Sequence, residues 1–307
     1  MKLSIITTTI NKPTEATIKF CHLAQKHNYQ FCIVGDKKTP HDVYIDLMNK
    51  FSCLEYITPE QQESEYKDLS ENIGWNSIQR RNIGFVHCVK RYDPDIIATV
   101  DDDNIPYDDW SQDLYIGKDI SCDYFETSSD VFDPLSVTNY KHLWHRGFPI
   151  ELLNVKNDVT YKGKKYITPL IQSDLWDGDP DIDAICRLTH KPIVKFDTKN
   201  PYCSNSVSPF NSQNTFLHKS IMKYYYVLPH VGRMDDIWPS YNIQKLFPNS
   251  LIYNRASVYQ ERNLQDLIKN LENEIIGYRY TKQLIENIDV IPQRAKEFIE
   301  IYQKLYE

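Results

Sequence analysis

Residues 96–104 read Ile-Ile-Ala-Thr-Val-Asp-Asp-Asp-Asn, an apolar run that ends in three consecutive carboxylates. The run from Ile96 to Val100 predicts a short buried strand. Asp101, Asp102 and Asp103 then stand at its carboxyl end. Side chains alternate along an extended backbone, so the pattern places Asp101 and Asp103 on one side together. Two convergent carboxylates beside a diphosphate suit a hard divalent cation, Mn2+ or Mg2+. A solvated turn is the competing reading, since Asp and Asn are common after strands. Three aspartates closing an apolar strand favour the cation.

Upstream of this stretch, strands and helices alternate. Strands are expected at 3–8, 30–34 and 54–57, and helices at 13–27, 41–51 and 76–92. Such alternation predicts a parallel sheet. Ligands of these sheets gather at the carboxyl ends of the strands, where Thr7, Thr8, Asp36 and Asp101 to Asp103 would lie. Residues 105–208 hold short strand candidates, many aromatics and many turn residues, with no clear period. Helical spacing returns over 264–284 and 292–306. The expected organisation is one catalytic domain over 1–260 and a helical extension over 261–307.

The 307 residues carry a formal net charge of -7, with 41% hydrophobic and 25% charged residues. That balance fits a soluble globular chain and argues against bulk nucleic-acid or anionic-membrane binding. No stretch reaches the roughly 18–20 apolar residues of a spanning helix, so no transmembrane segment is expected. Seven scattered cysteines without a Cys-x-x-Cys pair point away from disulfides and structural zinc. A reducing, cytoplasmic setting is the expectation. The nine histidines show no metal-binding spacing, and no nucleophile elbow, dinucleotide fingerprint or P-loop is present.

Three further segments carry chemistry. Arg80-Arg81-Asn82-Ile83-Gly84 opens the helix before the aspartate strand, where arginines and helix amides can meet phosphate; Arg80 is placed near a diphosphate. Asp177-Gly178-Asp179-Pro180-Asp181-Ile182-Asp183 lacks the Gly and Glu of a calcium loop, having Ile182 and Leu188 there. Four acids so close must be paired with arginine, a metal or sugar hydroxyls, or else be solvated. Gly232-Arg233-Met234-Asp235-Asp236-Ile237-Trp238 sets two carboxylates beside an aromatic. Either could serve as a general base, or the pair could serve a helix dipole.

Several blocks resemble the STELLO-like glycosyltransferases and, more distantly, the reversibly glycosylated polypeptides, which are UDP-arabinopyranose mutases. They are Gly35 to Pro40, Arg80 to Phe85, Asp101 to Asn104, Arg146-Gly147-Phe148-Pro149, Pro169 to Gln172, Asp179 to Ala184 and Ser208 to Thr215. The resemblance implies an α/β GT-A (Rossmann-like) fold with a mixed central sheet, a nucleotide-sugar donor, most simply a UDP-sugar, and a divalent metal. The partners it implies are that donor and a glycan or other hydroxyl acceptor. It places Asp36 and Asp101 at base, ribose or metal, with Thr7, Thr8 and Asp102 beside them, and Asp103 as main metal ligand. Asp181, Asp183, Asn211, Gln213 and Trp238 line the sugar or acceptor side. Asp236 or Asp235 is the candidate base. Arg146 matches the arginine that becomes glycosylated in the mutases, which makes a mutase the alternative reading, with a non-catalytic GT-A scaffold as another. Relatives carry a late histidine ligand where this chain has Asn254, so the third metal ligand is left open. The plant proteins carry a Golgi anchor, and no such anchor is expected here.

Overall fold

The computed structural model describes residues 1–262 and 265–307. In its first half, β1 (Leu3–Thr9), α1 (Glu15–His27), β2 (Gln30–Gly35), α2 (His41–Lys50) and β3 (Leu54–Ile57) alternate as the pattern predicts. Two short helices, α3 (Pro59–Glu65) and α4 (Lys67–Ile73), precede α5 (Arg81–Tyr92) and β4 (Ile96–Val100). Four strands pair in parallel in the order β3-β2-β1-β4. Their apolar residues are buried on both faces, as parallel strands covered by helices must be.

The second half adds β5 (Asn104–Pro106), β6 (Ile120–Thr127), β7 (Val159–Ile167), β8 (Ile171–Gly178), α6 (Ala184–His190), β9 (Tyr202–Ser204) and β10 (Asn214–His218). It closes with α7 (Ile237–Leu246), β11 (Leu251–Gln260), α8 (Leu267–Ile285) and α9 (Gln293–Lys304). Strand β10 runs antiparallel to both β4 and β8, while β11 runs parallel to β8. The sheet therefore continues β4-β10-β8-β11-β9-β6-β7, with β5 paired to β11. This is a mixed α/β architecture with a Rossmann-like first half, in agreement with the fold class expected from the sequence.

Close packing fixes where the site forms. A Cβ on Gly84 would lie 2.7 Å from Ile6 and 2.8 Å from Val34, so glycine lets α5 rest directly on β1 and β2. That approach brings Arg81 to the end of β4. Helix α1 is capped by Thr14, whose hydroxyl accepts from Thr17 N at 3.1 Å and donates to the Asp102 carbonyl. The cap thus also holds the aspartate turn. Thr39 works the same way across β1 and β2: its hydroxyl accepts from Asp36 N at 2.7 Å and donates to Thr9 O at 2.6 Å.

The C-terminal helices join the same body. Asp266 caps α8 by accepting from Ile268 N and Lys269 N. Glu274 on α8 accepts from Ala184 N at 2.8 Å, at the start of α6. Phe298 and Tyr302 of α9 are fully buried and share a core with Tyr66, Leu69 and Ile73 around α4. Helical spacing began at Leu264 in the sequence, a position outside the described residues; the described helix starts at Leu267.

Candidate functional site

The carboxyl ends of β1, β2 and β4 meet in a cleft of about 190 Å³ lined by Thr8, Thr9, Asn11, Asp36, Ser77 and Asp102, among others. Asp36 is 1% exposed. Its Oδ2 accepts from Asn76 N at 2.8 Å and Ser77 N at 3.3 Å. Its Oδ1 is buried with no hydrogen-bond partner. Thr7 Oγ1 is likewise buried without a partner, while Thr8 donates to Val34 O at 2.9 Å.

The three aspartates do not continue the strand. Asn104 N donates back to Asp101 O at 3.3 Å, and residues 101–103 form a turn between β4 and β5. The alternation that would set Asp101 and Asp103 side by side is therefore broken, and each carboxylate meets a different neighbour. Asp101 Oδ1 contacts the Arg81 guanidinium. Burial raises the Asp101 pKa, against the pull of Arg81. Asp102 Oδ2 accepts from the Thr9 hydroxyl and from Asn11 Nδ2. Asp103 keeps a buried Oδ1 with no partner. Burial, then Asp101 beside it, pushes its pKa up to about 7.

Arg80 does not reach this turn. The helix begins at Arg81 and not at 76 as the sequence pattern predicts, after a 3-10 turn at Ile78–Arg80. Arg80 is fully buried, donating to Gln62 Oε1 at 2.7 Å, Ser70 Oγ at 2.7 Å and Gly74 O at 2.8 Å, and it stacks 3.4 Å from the Trp75 ring. Burial lowers its pKa to about 10. It pins the loop that supplies Asn76 and Ser77 to Asp36. Its placement near a diphosphate is thus corrected, and Arg81 is the arginine at the aspartates. The sequence signal for Arg81 was Gly84, three residues on and so on a neighbouring helix face.

From Arg81 a chain of contacts crosses the sheet. Arg81 Nη1 donates at 2.8 Å to both Ser212 O and Ser212 Oγ. Ser212 N and Oγ donate to Asp236 Oδ2 at 2.9 and 3.1 Å. Asp236 meets Arg146 at 2.9 Å, and Arg146 meets Asp181 at 2.9 Å, with Nε donating to both Asp181 oxygens at 3.0 Å. Asn211 Nδ2 donates to Asp181 Oδ2 at 3.0 Å and its Oδ1 accepts from Gln213 N at 3.1 Å. Gly147 permits this centre: its φ is +81°, and a Cβ there would lie 2.2 Å from Ile237.

Arg146 is consequently a buried hub. Burial opposes its charge, but Asp181, Asp236 and Asp235 outweigh that and hold its pKa well above the usual arginine value. In this arrangement Arg146 is engaged by Asp181, Asp236 and the Arg233 carbonyl and braces the site between them. Burial opposes ionisation of Asp181 too, and Arg146 with Arg262 nevertheless brings it well below the usual carboxylate range. Asp235 lies at the rim of this network. It accepts from Gln79 Nε2 at 2.8 Å, and burial together with Asp236 pushes it up to about 7.

Two other expectations change. Asp183 is the N-cap of α6, accepting from Cys186 N at 2.7 Å and from the Trp144 indole; burial raises it to about 7. Its side chain is thus occupied in closing a helix. Trp238 is 0% exposed and donates to Thr281 Oγ1 at 3.0 Å, so it is a core residue under α8, not a platform for a sugar ring. Gln213 sits between the two halves: its carbonyl accepts from Asp101 N at 3.3 Å and Asn104 Nδ2 at 2.8 Å, while its Oε1 is buried and unpartnered.

Among the described residues, no group of three or more His, Cys, Asp or Glu side chains could by itself hold a metal ion. Asn254 lies on β11 and donates toward Asp113 O at 3.3 Å, away from the turn. The late segment that does reach Asp103 is Gln260 to Arg262: Gln260 pairs with Asn104, and Glu261 N donates to Asp103 O at 3.0 Å. The unpartnered Asp103 oxygen still fits a cation held by one or two carboxylates, with phosphate oxygens and water completing its shell, as Mg2+ commonly is.

No family model matches the chain, and no curated protein is similar to it in sequence. In overall shape it is similar to glucosyl-3-phosphoglycerate synthase from Mycobacterium tuberculosis, solved with phosphoglyceric acid. The TM-score is 0.48 at 10% identity, over 95% of this chain and 81% of that one. It is also similar to a mannosyltransferase from Pyrobaculum calidifontis solved with GDP-Man and Mn2+, with a TM-score of 0.43 at 10% identity, over 99% of this chain and 70% of that one. At that identity the reading of the site rests on its own geometry. Among the described residues no helix is long and apolar enough to cross a membrane, and all seven cysteines are free thiols.

Proposed function

We propose that this chain is a GT-A-type glycosyltransferase that takes a nucleoside-diphosphate sugar, a UDP-sugar, and transfers the sugar to a hydroxyl acceptor. The observation that carries this reading is a pair of buried carboxylate oxygens without partners, Asp36 Oδ1 and Asp103 Oδ1, at the same end of the sheet. A buried unpaired acceptor costs about 1–3 kcal/mol, more when charged, so both positions favour a ligand. The resemblance of the sequence blocks to STELLO-like proteins points the same way.

Each oxygen asks for a different group. Asp36 Oδ2 already accepts two backbone amides, which leaves Oδ1 to accept one N–H. Uracil offers one such donor, N3–H; guanine offers adjacent donors and would want both oxygens. Asp103 Oδ1 asks for a cation, and Mn2+ or Mg2+ fits it. Bound there, the metal would neutralise charge on the leaving diphosphate.

The chain's own residues then divide the remaining work. Arg81, bridging Asp101 and Ser212, fixes the aspartate turn against β10. Arg146 fixes Asp236 and the 179–183 loop. Asp235 receives the acceptor proton as the new glycosidic C–O bond forms and the bond from the anomeric carbon to the diphosphate oxygen breaks. Asp236 is less suited to that task, because Ser212 and Arg146 hold its Oδ2 and the Arg146 cation lies 2.9 Å from its Oδ1. The domain division at residue 260 is kept as part of this proposal, with α8 bracing the site through Glu274, which accepts from Arg233 at 2.8 Å.

The test is release of nucleoside diphosphate from a panel of UDP- and GDP-sugars, with hydroxyl acceptors and Mn2+, by wild type and Asp235→Asn. Turnover of a UDP-sugar that Asp235→Asn binds but does not use supports the reading. Turnover of GDP-sugars alone would overturn the base assignment, and turnover of neither would overturn the activity.

A further inference from the structure

Among the described residues, Arg262 is the one arginine at the site whose charge is not closed by a tight partner. Its side chain is 5% exposed, yet Nε is buried without a hydrogen bond. It stands 3.5 Å from Asp179 and 3.9 Å from Asp181, and Nη2 donates to Gln260 Oε1 at 3.2 Å. Both carboxylates are held more closely by others: Asp179 by Arg187, and Asp181 by Arg146 at 2.9 Å. Burial, with Arg187 and Arg233 adding like charge, works against the Arg262 cation despite Asp181 and Asp179. A buried cation short of partners favours an anion, and arginine's planar fork matches phosphate oxygens two at a time.

The backbone fixes where that anion would sit. Gln260 pairs with Asn104, Glu261 N donates to Asp103 O, and Asp179 N donates to Gln260 O at 3.2 Å. Arg262 therefore follows directly on the residue bonded to Asp103, whose own Oδ1 lacks a partner. An unpartnered guanidinium N–H and an unpartnered carboxylate oxygen share one corner of the site without being bonded to each other. A ligand that answers both must be an anion able to carry a cation, which describes a metal-bound diphosphate.

We infer that Arg262 binds the diphosphate of the donor, acting as a positioning and charge-neutralising residue beside Asp103. This rests on the nucleotide-sugar reading and assigns the phosphate contact that Arg80 does not supply. The guanidinium remains protonated throughout and adds no proton transfer.

The experiment is calorimetric titration of UDP, uridine and inorganic pyrophosphate, with Mn2+ present, into wild type, Arg262→Gln and Arg262→Lys. Loss of a charge-assisted, two-pronged phosphate contact weakens UDP and pyrophosphate by about tenfold or more and leaves uridine unchanged. Arg262→Lys recovers only part of the loss, because a point charge replaces a fork. Should Arg262→Gln fail to fold, the lysine variant carries the same test: UDP weakened, uridine not. Equal UDP affinity in all three proteins, or equal weakening of UDP and uridine, overturns the inference while leaving the nucleotide reading in place. Wild type that binds pyrophosphate through Arg262 but not UDP keeps the arginine site and ends the nucleotide reading. Wild type that binds neither ends both.

Discussion

Two sets of aspartates look alike in the sequence and differ in the fold. The carboxylates at the ends of β2 and β4 leave oxygens without partners: Asp36 Oδ1 and Asp103 Oδ1. Those of the 177–183 and 235–236 segments are engaged by protein partners; Asp236 Oδ1, which also lacks a hydrogen bond, lies 2.9 Å from the Arg146 cation. Asp177 accepts from Tyr107 and Phe196, Asp181 from Arg146 and Asn211, Asp183 from Cys186 and Trp144, and Asp236 from Ser212 and Arg146. The same residue type thus marks a candidate ligand site where it is buried and open, and a brace where it is buried and closed. Removing an open carboxylate should cost binding and spare the fold; removing a brace should cost the fold first.

Arg146→Ala should give the largest effect. It strips Asp181 and Asp236 of their shared cation and leaves two buried charges, a loss of about 3–5 kcal/mol in unfolding free energy. Denaturant unfolding measures it; a loss under about 1 kcal/mol, the range of surface pairs, would erase the contrast between braced and open sites. Asp103→Ala should leave unfolding unchanged or slightly improved, since an unpaired buried charge is removed. Its metal-dependent gain in UDP affinity should vanish. A destabilisation matching that of Arg146→Ala would place Asp103 among the braces.

Asp36→Asn should weaken UDP by about tenfold, since an amide turned to satisfy the loop presents its NH2 to the base N–H. Affinity for cytidine diphosphate, whose base has an acceptor at that position, should fall less or rise. A parallel loss of both nucleotides would show that Asp36 only shapes the loop.

The smallest effect is in pH. Asp174, Asp183 and Asp235 are each pushed to about 7, first by burial. A carboxyl whose folded pKa lies above its unfolded value near 3.8 stabilises the fold in its protonated form, and that contribution is lost as pH rises through the folded pKa. Asp181 acts oppositely, but its contribution is complete above the unfolded value. Melting of the metal-free protein should therefore be higher near about pH 5.5 than near about pH 7.5, and the reverse ordering would contradict the burial of these three acids.

Much of the first half was legible because its physics is local. β1 to β4 are short apolar runs buried on both faces, and α1, α2 and α5 carry ordinary helical spacing, so their order and the strand ends that form the cleft could be read directly. The start of α5 could not: Ser77 caps a 3-10 turn first, and that shift turned Arg80 inward and Arg81 toward Asp101. The middle was illegible for a different reason. β8 reads Ile-Gln-Ser-Asp-Leu-Trp-Asp-Gly, buried along its whole length despite four polar side chains. Beyond the Gln172–Asp174 bond within the strand, those groups are satisfied by distant partners: Gln172 by Asp113 O, and Asp174 by Ser257. No local period can announce such a strand. Trp238 misled in the opposite sense, since an aromatic beside two aspartates resembles a sugar platform until Thr281 of α8 is seen covering it.

The central claim is that the open carboxylates form a donor site for a nucleoside diphosphate with its metal. It is tested most directly by calorimetric titration of UDP and GDP, with and without Mn2+, into wild type and Asp103→Ala. The account predicts that UDP binds wild type more tightly with Mn2+, that GDP binds more weakly, and that Asp103→Ala loses the Mn2+ dependence while remaining folded. Binding of neither nucleotide by folded wild type with Mn2+ present, or an Mn2+ dependence untouched by Asp103→Ala, would contradict it.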